Sequence, residues 1–97
     1  MVNKNRLAKT FKFLSEIDSV SKEEGAVAGE IIKIFKPMGA EILIDSAGDV
    51  IGSDTGNLIV RFKGTIKAPP LLFNAHMDTV EPGKGITAVL KNGIFTR

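Results

Sequence analysis

The apolar residues of this 97-residue chain change their spacing once, and that change divides it into a helical part and an extended part. Leu7, Phe11, Leu14 and Ile17 recur at intervals of three and four, which puts them on one face of a helix. Asp18 and Ser19 close that helix in the pattern. Ser21 followed by Glu24 reads as a capping box, in which each side chain satisfies a free amide at a helix start. Val27, Ile31, Ile34, Phe35 and Met38 then form a second helical stripe. Pro37 and Gly39 end it, because proline disfavours helix at the residue before it and glycine accepts the left-handed turn-out.

Beyond Gly39 the period shortens to two. Ile42-Leu43-Ile44 and Val50-Ile51 flank a turn-rich run, Asp45 to Asp49. Leu58, Val60 and Phe62 alternate with Ile59, Arg61 and Lys63, as in a strand with one buried face. Pro69-Pro70 precedes Leu71-Leu72-Phe73, a short apolar run that suits a central strand covered on both sides. Ile86 to Leu90 and Ile94 to Thr96 bracket Asn92-Gly93, a dipeptide suited to a two-residue hairpin turn. The fold class these periods predict is α/β, with two amino-terminal helices packed on a mixed β-sheet in a single unit over residues 1–97. The last predicted strand stops one residue short of Arg97, so the expectation is a truncated part of a larger domain.

Composition narrows the function classes. Hydrophobic residues make up 43% and charged residues 25% of the chain, the balance of an ordinary globular protein. Thirteen basic and eleven acidic residues leave a net charge of +2, spread along the chain, which argues against a nucleic-acid partner. There is no cysteine, which excludes disulfides and thiolate metal sites and suits a reducing, cytoplasmic setting. No segment reaches the roughly 18 apolar residues of a membrane span, and Met1 to Phe13 has no apolar signal core. A membrane partner is not expected.

Chemistry concentrates in Phe73-Asn74-Ala75-His76-Met77-Asp78-Thr79-Val80. An apolar strand ends and presents the chain's one histidine, with an aspartate two places on. In extended backbone, positions i and i+2 point to the same side, so His76 and Asp78 can face one cleft together. A neutral imidazole offers one nitrogen to a metal and a ring N–H to a neighbour. A carboxylate that takes this N–H fixes the tautomer and improves the ligand. The residues alone leave His76 open between a metal ligand and a hydrogen-bonded strand-end histidine, and Asp78 between that role and a turn residue. Glu23-Glu24 reads as a helix start rather than a carboxylate pair for catalysis. Gly83-Lys84-Gly85 lacks the spacing of a phosphate loop.

The run from Leu72 to Gly85, Leu-Phe-Asn-Ala-His-Met-Asp-Thr-Val-Glu-Pro-Gly-Lys-Gly, resembles the first metal-binding motif of the M20 zinc metallopeptidases, in particular the tripeptidase, peptidase T-like group. Ile17 to Glu24 resembles that family's amino-terminal helix junction, and Gly56 to Val60 and Lys91 to Ile94 fall where the resemblance puts them. The resemblance implies that residues 1–97 are the amino-terminal part of a zinc-peptidase catalytic domain. It implies His76 as a ligand of one of two zinc ions, and Asp78 as the catalytic-site acid that orients its imidazole. In the family, water activated on the two zinc ions cleaves the bond after the first residue of a short peptide.

The chain departs from the family in what it lacks. The bridging aspartate, the paired glutamates, the later carboxylate, the second histidine and the lid domain have no counterpart in the sequence. An isolated His76–Asp78 pair is therefore expected to bind zinc weakly and to catalyse nothing. The competing reading is a non-catalytic α/β fragment or interaction module that pairs through an exposed sheet edge, including with a second copy of itself.

Overall fold

A computed structural model describes all residues from Met1 to Arg97. Helix α1 spans Lys4–Ser15, and the Asn3 side chain accepts from the Arg6 N–H at its start. Helix α2 spans Gly25–Phe35 and runs into a short 3-10 turn, Lys36–Met38, closed by Gly39 at φ 83°. Strand β1 (Glu41–Ile44) pairs antiparallel with β2 (Leu58–Arg61), with the five-residue helix α3 (Ala47–Ile51) between them. Strands β3 (Val89–Lys91) and β4 (Ile94–Thr96) form a second antiparallel pair. Asn92 and Gly93 turn this hairpin at φ 52° and 75°, the conformation that the dipeptide predicts.

The α/β class stands, and the sheet takes a particular form: two separate two-stranded ladders and one parallel bridge, Val20 to Thr79. Each amino-terminal helix leans on one ladder through a phenylalanine pair. Phe11 of α1 meets Phe95 of β4 with ring centroids 4.8 Å apart, and Phe35 of α2 meets Phe62 just past β2 at 5.7 Å, edge to face. In β2 the expected alternation holds, with Leu58 and Val60 half-buried and Ile59 and Arg61 exposed. Arg61 also reaches Glu41, its cross-strand partner, at 3.3 Å.

Three sequence expectations change. Helix α2 begins at Gly25 rather than at Ser21, and no capping box forms. Its first amide, Gly25 N–H, donates instead to Asp54 Oδ1 at 2.9 Å, from 29 residues away. Residues 47–51 are helical where a turn and a strand were expected. The Asp45 carboxylate accepts from the Ala47 N–H and from both the backbone and side-chain amides of Asn57, which bends the chain into a local turn before it can extend. Leu71-Leu72-Phe73 forms no strand and belongs to no ladder, and Leu72 and Phe73 are 92% and 90% exposed. A doubly covered strand needs neighbours on both edges and both faces, and this chain places none beside it.

Candidate metal-ligand site

The His76–Asp78 motif follows that exposed apolar run, and its anchoring begins one residue later. The Thr79 N–H donates to the Ser19 carbonyl at 2.8 Å, beside the parallel bridge to Val20, which is 1% exposed. Val20 is buried because the loop folds back over it. A Cβ on Gly83 would meet the Thr79 hydroxyl and the Val80 carbonyl at 2.7 Å and the Val20 side chain at 3.1 Å. Glycine is required there by close approach.

His76 Nδ1 stands 3.5 Å from Asp78 Oδ1, so the two side chains lie on the same side, as the i, i+2 spacing predicts. The distance is that of an ion pair when the ring is protonated, and is longer than a formed N–H···O bond. The imidazole is 95% exposed and the carboxylate 39%. The acid, next to the anchored Thr79, is the more sheltered member of the pair; the ring extends into solvent.

Both residues border an open groove of about 640 Å³ between this run and the α3–β2 segment. Leu58, Val60, Leu72 and Phe73 give it an apolar wall, while Glu24, His76 and Asp78 supply its charged and titratable groups. Glu24 serves the fold: its carboxylate accepts from the Lys22 N–H and the Ser53 hydroxyl, both at 2.8 Å. Burial pushes the Glu24 carboxyl up, yet the Lys22 amide and the Ser53 hydroxyl outweigh this and hold it below the usual glutamate value.

Nowhere do three or more histidine, cysteine, aspartate or glutamate side chains converge as a metal-holding group. The donor set at the motif is one imidazole and one carboxylate. That set fits a ligand with its orienting acid and falls short of a closed or catalytic zinc centre, which takes three or four protein ligands. Sequence reasoning missed the anchoring groups Glu16, Asp18 and Ser19, because their partners lie 60 to 72 residues away and leave no local pattern.

As a whole the chain resembles the M20 peptidases in sequence and in fold. The crystal structure of aminopeptidase PepT from Bacillus cereus matches 95% of the chain at a TM-score of 0.88 and 35% identity. The uncharacterized protein YqjE of Bacillus subtilis is 39% identical over 93 residues, and a candidate LysW-lysine/LysW-ornithine hydrolase of Pyrococcus furiosus is 37% identical over 93. The chain spans about a quarter of the length of each: 25% of PepT and 25% of both curated relatives. No protein-family profile matches it. No helix is long and apolar enough to cross a membrane.

Proposed function

We propose that this chain carries the His76–Asp78 limb of a zinc-dependent aminopeptidase that acts on short peptides, tripeptides among them, in the cytoplasm. The observation that carries the reading is the 3.5 Å pairing of an exposed imidazole with a more sheltered carboxylate at the rim of a groove. The 35% identity to an aminopeptidase over 95% of the chain supports it. His76 is the metal ligand in this reading, and Asp78 is the acid that orients its ring. The other ligands and the general base have to come from further polypeptide, since the residues present fit one limb of a centre only. The isolated chain is accordingly expected to be inactive on a tripeptide.

A second reading, an interaction module that self-associates through unpaired strand edges, is favoured by one feature. This is the exposed apolar run from Leu71 to Phe73.

Calorimetric titration with zinc, comparing the chain with its His76→Ala variant, tests the first reading. Weak binding (Kd around millimolar or somewhat tighter) that disappears in the variant is the expected result for one imidazole with a helper carboxylate. Equal binding by both chains would refute His76 as the ligand.

A further inference from the structure

The loop that follows the His76–Asp78 motif is held by the Arg97 guanidinium at the Pro82 carbonyl, 2.9 Å away, and by a cluster of contacts at the junction between α1 and α2. Ser19 receives the Thr79 N–H through its carbonyl at 2.8 Å. The neighbouring Asp18 receives the Gly85 N–H on Oδ1, also at 2.8 Å. Two residues earlier, Glu16 Oε2 takes the Ala88 N–H at 2.8 Å, while Lys12 Nζ holds the same oxygen at 2.7 Å. Lys84 Nζ reaches Glu23 at 3.3 Å on the far side. Ser19, Val20, Gly83 and Ala88 are all buried in this contact, among only seven buried residues in the chain.

We propose that the α1–α2 junction is a clip that sets the direction of the His76–Asp78 pair, with Asp18 and Glu16 as positioning residues. The adjacent residues Asp18 and Ser19 grip positions 85 and 79, so the loop between those positions is closed on a single dipeptide. Residue 79 cannot swing without breaking its own link or pulling on the one at 85. Asp78 directly precedes that fixed point, which is why its carboxylate is the more sheltered member of the pair. His76 lies two residues further out and has one side-chain neighbour of opposite charge, Asp78. Its orientation is therefore inherited from Ser19 through Thr79 and Asp78, while Asp18 holds the other end of the loop at Gly85. A carboxylate accepting a backbone N–H is among the stronger hydrogen bonds available for such a task. This inference rests on the metal-ligand reading for its purpose, though not for its geometry.

The experiment uses the whole 97-residue chain without metal, as wild type, Asp18→Ala and Asp18→Asn. Amide exchange is read at Thr79, Gly85 and the α2 residues Ile31 and Ile32, together with the 15N shifts of the His76 ring. In Asp18→Ala, exchange at Gly85 and Thr79 is expected to rise about tenfold or more. The His76 ring shifts are expected to move toward those of an unpaired imidazole. Asp18→Asn keeps an acceptor oxygen and is expected to restore both readouts. Unchanged α2 exchange separates this from general unfolding. Should α2 loosen in Asp18→Ala, Glu16→Ala is read instead, with release of Ala88 and a smaller His76 shift in the same direction expected. A freed Gly85 with Thr79 and the His76 ring unmoved would overturn the clip. If the clip readouts respond while zinc binding is indifferent to His76→Ala, the clip stands and the metal-ligand reading falls.

Discussion

At Gly83 the backbone of the motif loop passes so close to Val20, Thr79 and Val80 that a single methyl group has no space. Gly83→Ala is expected to lower stability by about 1–3 kcal/mol, the range for overpacking a tight contact, and urea denaturation would read it as a lower midpoint. Lys22 makes a different demand, with φ at 73° in a residue that carries a side chain. The Glu24 carboxylate that accepts its N–H helps to hold that conformation in place. Asp45 shows how one side chain can order a segment. The Asn57 side-chain amide, and then the Ala47 and Asn57 backbone amides, hold its carboxyl below the usual aspartate range. Its folded value lies below its unfolded one, so its contribution to stability is complete above the unfolded value, near pH 4, and is lost as pH falls from there through the folded value. Glu16 behaves in the same sense, lowered first by the Lys12 side chain and then by the Ala88 amide. Stability is therefore expected to decline with acidification below about pH 4–4.5, and Asp45→Asn should flatten part of that decline in an acid titration followed by circular dichroism.

Helix α2 takes its cap from Asp54, outside its own segment, and this arrangement can be tested directly. Asp54→Ala should cost about 1 kcal/mol, the typical value of a helix amino-terminal cap, while Asp54→Asn should recover most of it, since an amide oxygen also accepts the Gly25 N–H. Thermal unfolding of the two variants would discriminate. The same cap explains where sequence reading stopped. The helical stripe from Val27 to Phe35 was legible, and so was its end at Gly39, because period and glycine chemistry are local. The Asn92-Gly93 hairpin and the alternation in β2 were legible for the same reason. The start of α2 was not, since its acceptor comes from 29 positions downstream. Helix α3 was hidden by side-chain bonds between Asp45 and Asn57, twelve residues apart. At the candidate site the i, i+2 relation of His76 and Asp78 could be read from spacing. Their differing exposure could not, because the contacts around residue 79 come from Ser19, 60 positions away.

The molecule as a whole exposes 8159 Å², whereas a compact monomer of its mass would expose about 5400 Å². Its radius of gyration, 15.2 Å, also exceeds the roughly 12.5 Å of a compact 97-residue domain. The surplus surface, on the order of 2800 Å², is of the size that obligate assemblies bury. It includes Ile66, Leu71, Leu72, Phe73 and Val80, which lie in the segments on either side of the His76–Asp78 motif. At micromolar concentration the chain is expected to associate with itself through this face. Sedimentation velocity should show a species heavier than a monomer, and Leu72→Asp with Phe73→Asp should return it to one. A concentration-independent monomer of the unaltered chain would refute that expectation.

The clip also bears on the order in which the molecule comes off a ribosome. Glu16 and Ala88 are 72 residues apart, and at ordinary elongation rates that separation corresponds to about 4 to 14 seconds of synthesis. Through that interval the nascent junction holds its acceptors out to water and cannot complete its own small core. Until residue 88 has emerged, the early part of the chain is expected to stay open to solvent and to neighbouring chains.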